Sequence, residues 1–255
     1  MTRVVCVIPA RMASSRYPGK PLAPLLGMPL VLHVWNRCRL WDGFERVIVA
    51  TCDEEIKTAV EAAGGEAVMT ADTHERCTDR VEEAIGVLDL GLADDDLVLM
   101  VQGDEVLVSP TMIADIAAAY ERSKAPVVNL ASVIVDPADH DDANVVKVVM
   151  AKDGKALYFS RAPIPSRSRA KGLPPMYQQT GVIAFAAGFL RRFSRLEPTP
   201  LEIVESVDMM RVLEHGLAVQ MVTADFETIG VDTPADRERA EGVLAADAVT
   251  KDYLK

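Results

Sequence analysis

Short apolar runs rich in β-branched residues alternate along this 255-residue chain with longer stretches of helical periodicity. A run without polar alternation suits a strand covered on both faces, and a stretch of helical length between two such runs suits a crossover joining parallel strands. The pattern predicts strands over 4–8, 46–51, 97–101, 127–134, 145–150, 181–185 and 217–223. It predicts helices over 29–40, 54–63, 79–88, 110–122, 201–215 and 234–244. The expected fold is α/β, a mostly parallel sheet with helices on both faces, in one domain spanning 1–255. Residues around 135–200 interrupt the alternation and are expected to form a subsidiary lobe or arm. Within them, the proline-rich and basic segment 160–179 reads as a long loop beside the site or as an arm contacting a second copy.

Ligands of such sheets lie beyond the carboxyl ends of the strands. The first strand ends there in Pro9-Ala10-Arg11-Met12-Ala13-Ser14-Ser15-Arg16-Tyr17-Pro18-Gly19-Lys20, a loop carrying three cations. Backbone N–H groups and fixed cations converging on one anionic chain are a means of holding a polyphosphate. The loop lacks the Lys-Ser/Thr pair of a P-loop and the Gly-x-Gly-x-x-Gly of a dinucleotide fold. A solvated basic turn is the plainer alternative, and the position directly after a strand weighs against it. The strand-ending groups Thr51-Cys52-Asp53 and Gln102-Gly103-Asp104-Glu105 are expected at the same edge.

The net charge of −11 excludes a general nucleic-acid binder, which needs a basic footprint, so any phosphate site must be locally basic or metal-assisted. Neither a signal peptide nor an apolar stretch of roughly 20 residues is visible, so a membrane span is not expected. Cys6, Cys38, Cys52 and Cys77 show no Cys-x-x-Cys spacing, which points to reduced thiols and a cytoplasmic location. His33, His74, His140 and His215 show no metal spacing and read as structural or surface residues.

Among the residues that could carry chemistry, Lys20 offers a mobile point charge and Arg11 a planar fork for two phosphate oxygens. Arg16 either joins them or anchors the loop. Thr78-Asp79-Arg80 opens a predicted helix, where Thr or Asp is a common cap. Asp104, at a strand's carboxyl end, suits a Mg²⁺ ligand or an Asx-turn. Asp232, just ahead of Pro234, reads on its own as a helix cap or its neighbour.

The loop resembles the signature of the sugar-acid cytidylyltransferases, especially the CMP-KDO synthetases. Further stretches share the likeness: Thr78-Asp79-Arg80, Gln102-Gly103-Asp104, Asn144-Val145-Val146-Lys147-Val148, Tyr158-Phe159-Ser160-Arg161 and Gly230-Val231-Asp232-Thr233-Pro234. The resemblance implies a Rossmann-like, three-layer nucleotidyltransferase fold with a smaller dimerisation or acceptor lobe. It implies transfer of CMP from CTP to a small anionic acceptor in a Mg²⁺-dependent homodimer. Lys20, Arg11 and Asp104 are then catalytic, and Arg11, Ser14, Arg16, Lys20, Thr78, Arg80 and Gln102 face the nucleotide. Asp104 and Asp232 share the metal. The acceptor falls to Arg161, as a fork for its carboxylate, and to Gln179, Ile183, Asp208 and Met209.

The likeness weakens where the acceptor would sit. Family members commonly read His-x-Gly-Ile-Tyr-Gly-Tyr where this chain has Gln179-Thr180-Gly181-Val182-Ile183-Ala184-Phe185, and Glu-Gln-Leu-Arg where it has Asp208-Met209-Met210-Arg211. Loss of hydrogen-bonding groups from a site built for hydroxyls reduces discrimination. A KDO-like 2-keto sugar acid is the first expectation, a small phosphonate such as phosphonoformate the second. A nucleotide-sensing protein without turnover is the alternative of another class.

Overall fold

In the computed structural model, which describes residues 2–14, 16–169 and 175–254, the first apolar run forms β1 (Val4–Ala10). Ser15 of the basic loop and Pro174 of the 160–179 segment lie outside the described residues. Val5, Cys6, Val7 and Ile8 are fully buried, as a strand covered on both faces requires. After the basic loop come the short hairpin β2 (Pro24–Leu25) and β3 (Met28–Pro29), then α1 (Leu30–Arg39), β4 (Arg46–Thr51), α2 (Glu54–Ala62) and β5 (Glu66–Met69). The chain continues through α3 (Cys77–Val87), β6 (Leu97–Val101), α4 (Pro110–Ser123), β7 (Val127–Val133) and α5 (Pro137–Asp141). A hairpin of β8 (Lys147–Met150) and β9 (Ala156–Ser160) precedes the long β10 (Tyr177–Ala186). The last elements are α6 (Ala187–Phe193), α7 (Pro200–Glu205), α8 (Asp208–Glu214), β11 (Val219–Ala224), α9 (Pro234–Ala246) and α10 (Ala248–Tyr253).

Nine of the described strands form one sheet in the order β11-β7-β10-β6-β1-β4-β5, with β8 attached to β10 and β9 to β8. β6, β1, β4 and β5 run parallel, as do β7 and β11, while β10 is antiparallel between β6 and β7. Because side chains alternate across a strand, Cys6 and Ile8 of β1 pack with α1, α2, α4 and α9, whereas Val5 and Val7 pack with α3, α6 and α8. This gives the three layers. The reversal of β10 matters for the site: Val182 pairs with Val101, so residues 177–181 run past the carboxyl end of β6. None of the helices among the described residues is long and apolar enough to cross a membrane.

Two local expectations are corrected. The helix expected over 201–215 is two helices, because Ser206 between them is left-handed (φ 53°, ψ 50°). The helix expected to be capped at Thr78 begins at Cys77, with Arg76 in the cap position. Asp232 stands beside the cap of α9, one of the two places the sequence allowed it. Thr233 caps the helix, in a reciprocal box with Asp236, and Pro234 occupies the first turn.

Candidate active site

The basic loop is folded back on itself and pinned to the sheet. Gly19, in the left-handed region at φ 75°, donates its N–H to the Met12 carbonyl at 3.0 Å, a conformation that favours glycine. Asp53, beyond β4, accepts the Met12 N–H at 2.8 Å, and Ser14 Oγ accepts the Tyr17 N–H at 3.3 Å. Lys20 then opens a single 3₁₀ turn over Lys20–Leu22.

That turn buries the Lys20 side chain, and its Nζ donates to Asp104 Oδ2 at 2.7 Å and Asp232 Oδ1 at 3.1 Å. The other Asp232 oxygen pairs with Arg16 at 2.9 Å, and Arg16 donates to Asn144 Oδ1 at 3.2 Å. Three remote segments therefore meet: the loop after β1, the end of β6 and the start of α9. Burial alone would lower the Lys20 pKa, but Asp104 and then Asp232 hold it above the ordinary lysine value, so the ammonium is charged at neutral pH.

Beside Asp104, Glu105 is buried with Oε1 accepting the Gly181 N–H at 2.5 Å. Its Oε2 has no partner among the described residues. Burial, then the Asp104 charge, pushes this carboxyl up to about 7. Gly181 lies in the stretch where the β10 register against β7 shifts, and its carbonyl accepts the Gln102 N–H at 2.9 Å. A Cβ on Gly181 would come within 2.6 Å of the Gln102 side chain, so this crossing needs glycine.

Next to the lysine cluster opens a cavity of about 880 Å³ whose lining includes Arg16, Gln102, Asp104 and Asp232, with Gln179, Ile183 and Asp208 on its other walls. The Gln179 amide donates to the buried Asn129 Oδ1 at 2.8 Å. Asp208 accepts from Thr78 Oγ1 at 3.0 Å, and burial raises its pKa. Cys77 also lines the cavity; burial first, then Asp104 and Asp208, push its thiol up to about 12, so it is neutral.

Other expected residues are placed differently. The Arg161 guanidinium lines the cavity but donates to the carbonyls of Glu205 (2.8 Å), Ala143 (3.0 Å) and Ser206 (3.3 Å). It fastens β9 to the α7–α8 junction instead of presenting an open fork to an acceptor. Met209 is fully buried in the core under β9 and β11 and does not line the cavity. Thr78 and Arg80 are buried off the cavity; Arg80 is tied to Thr70 Oγ1 and the Ala71 carbonyl, with Nη2 unpartnered among the described residues. Arg11 is exposed and donates to the His74 carbonyl at 3.1 Å. The four histidines take no part: His33 and His140 are buried on backbone carbonyls, His74 pairs with Glu83, and His215 ends α8. Glu105 and Arg76 also line the cavity; the sequence placed Glu105 at this edge within the strand-ending group 102–105 but gave it no role, and Arg76 belongs to no local pattern that announces it.

A pinned basic loop at the carboxyl edge of a three-layer α/β sheet, facing carboxylates from two further segments, defines a nucleotidyltransferase. The chain belongs to the cytidylyltransferase family, whose model matches residues 5–227. It is 44% identical over 249 residues to a 3-deoxy-manno-octulosonate cytidylyltransferase of Syntrophobacter fumaroxidans, covering 97% of this chain and 99% of that one. It is 43% identical over 246 residues to an 8-amino-3,8-dideoxy-manno-octulosonate cytidylyltransferase of Shewanella sp. (strain ANA-3), covering 96% and 99%. The solved structure of CMP:2-keto-3-deoxy-manno-octonic acid synthetase complexed with CTP superimposes with a TM-score of 0.87 at 34% identity, covering 96% of this chain and 99% of that one. A 4-diphosphocytidyl-2C-methyl-D-erythritol synthase, at 15% identity and a TM-score of 0.63, shares the fold.

Proposed function

We propose that this cytidylyltransferase joins CMP from CTP to a 2-keto sugar acid of the octulosonate type, with release of pyrophosphate. The observation that carries the reading is the Lys20 ammonium held between Asp104 and Asp232 at the edge of a cavity of about 880 Å³. That volume lies within the range of small-molecule sites. Both curated relatives act, by their names, on octulosonates, which favours a sugar acid over a phosphonate.

In this reading Lys20 exchanges its two carboxylate partners for phosphate oxygens as CTP settles on the loop, and Arg11 turns from the His74 carbonyl to the same chain. Asp104 and Asp232, released from the ammonium, are the residues that would hold Mg²⁺. Two carboxylates sharing one point suit an ion that takes one or two carboxylates and completes its shell with phosphate oxygens. When bound, Mg²⁺ supplies neutralisation of phosphate charge. An acceptor hydroxyl, oriented by Gln102 and Gln179, then forms a bond to the α-phosphorus as the bond to pyrophosphate breaks, and its proton passes to solvent. Lys20 and Arg11 stabilise the charge that grows on the departing group. A CTP sensor needs no such pair of carboxylates, so the cluster weighs against that alternative. The resemblance also implies a cytoplasmic homodimer, which sedimentation would test.

The experiment is a comparison of kcat/KM for KDO, 8-amino-KDO and phosphonoformate at fixed CTP and Mg²⁺. One of the two octulosonates should lead by tenfold or more. Preference for phosphonoformate would overturn the acceptor assignment.

A further inference from the structure

An anionic acceptor needs a cation, yet the cavity has more carboxylates than arginines on its walls. Among the described residues four arginines line it: Arg16, Arg76, Arg161 and Arg239. Three of them already donate hydrogen bonds to protein groups. Arg16 holds Asn144 and Asp232, Arg161 holds three backbone carbonyls, and Arg239 donates to Glu227 at 2.8 Å.

Arg76 differs. Its Nη1 lies 2.6 Å from Glu202 and its Nε lies 3.6 Å from Asp208, which leaves other N–H groups of its five-donor fork for a ligand. Glu202 does not depend on it, because the buried Arg211 grips both Glu202 oxygens at 2.7 Å. The Arg76 pair is thus a second claim on a carboxylate that is already satisfied. Its side chain is 29% exposed at the cavity wall, and it stands at the N-terminal cap of α3, where the helix dipole favours negative charge. Ile183 on the wall and Met209 withdrawn into the core offer an acceptor no hydrogen bond, whereas Gln102, Gln179 and Asp208 line the same cavity.

We propose that Arg76 receives the acceptor's carboxylate, with Arg161 restricted to fastening the wall. The inference rests on the cytidylyl-transfer reading and deepens it, by making the carboxylate the main handle on the substrate. Arg76 keeps Nη1 near Glu202 and offers its free donors to the ligand, or leaves Glu202 wholly to Arg211.

The test measures acceptor KM, CTP KM and kcat for the wild type, Arg76→Gln and Arg76→Lys, with KDO and with its methyl ester as acceptors. Loss of a charge-assisted fork should raise the KDO KM on the order of 10- to 100-fold in Arg76→Gln, with the CTP KM within about twofold. Arg76→Lys should recover part of the loss, since it keeps the charge without the fork. The wild type should prefer acid to ester by a similar factor, and Arg76→Gln should lose that preference. Because Glu202 retains Arg211, both variants should fold, which a thermal melt checks. An unchanged KDO KM in Arg76→Gln, or an undiminished acid-over-ester preference, overturns the inference while leaving cytidylyl transfer in place. A wild type that binds CTP but turns over none of the acceptors overturns the underlying reading and the inference with it.

Discussion

Replacing Lys20 by Met removes the charge on which the account converges, and the structure sets the size of the effect. The ammonium lies 2.7 Å from Asp104 and 3.1 Å from Asp232. At an effective dielectric constant of about 20 these are gross attractions of roughly 6 and 5 kcal/mol. Most of that is offset by desolvating a side chain only 11% exposed. Asp232 is 38% exposed and keeps Arg16, so solvent screens its share and Asp104 dominates. The net loss is about 2–3 kcal/mol, below the roughly 3–5 kcal/mol of a fully buried broken pair. For a chain of this size that lowers Tm by about 4–12 °C. The melt is run at pH 8 without divalent metal, where two carboxylates left within about 6 Å of each other repel. Added Mg²⁺ should then raise the Tm of Lys20→Met more than that of the wild type. Turnover at saturating CTP should fall on the order of 10²-fold or more. A variant melting within about 2 °C of the wild type and retaining more than about a tenth of its rate would refute the reasoning.

If the two carboxylates hold one ion as proposed, Asp104→Asn and Asp232→Asn should each weaken activation by Mg²⁺ and the double variant should lose less than the combined effect; strict additivity in a Mg²⁺ titration would separate them. Glu105 holds its proton longer in the folded chain, with a value of about 7 against an ordinary 4.5. The stability it contributes is therefore full below about pH 4.5 and lost as pH rises through about 7, by roughly 3 kcal/mol in all. Denaturant titrations of Glu105→Gln should lack that decline, and a difference from wild type that does not vary with pH would count against it. Met209→Gln should cost about 1–3 kcal/mol by burying an amide in the core and leave the acceptor KM unchanged. A lower KM for KDO would mean that residue 209 reaches the ligand after all.

Strands such as those at 46–51 and 97–101 were legible because burial on both faces leaves an uninterrupted apolar run, and each emerges with the expected bounds. The apolar periodicity through 201–215 conceals a break, since only the left-handed backbone of Ser206 divides it. β5 escaped notice because four residues, Glu66–Met69, show no usable period. The meeting of Lys20 and Asp104 followed from strand ends at one edge of the sheet, whereas Asp232 was placed with them only by the family resemblance. Arg161 stands on the cavity wall, but a local sequence match says where an arginine stands, not which carbonyls its guanidinium meets across 44 residues of chain. Arg76, Glu105 and the burial of Met209 depend on the same long-range packing of α3, β10 and α8.

The reaction proposed for the Lys20 cluster is transfer of CMP from CTP to an organic acceptor. The direct measurement incubates the protein with CTP labelled at the α-phosphate, Mg²⁺ and either octulosonate, then counts label in the acceptor conjugate against pyrophosphate formed. The account predicts one pyrophosphate per labelled CMP conjugate, and neither product when the acceptor is omitted. Pyrophosphate at the same rate without acceptor, or label recovered only as free CMP, would contradict it.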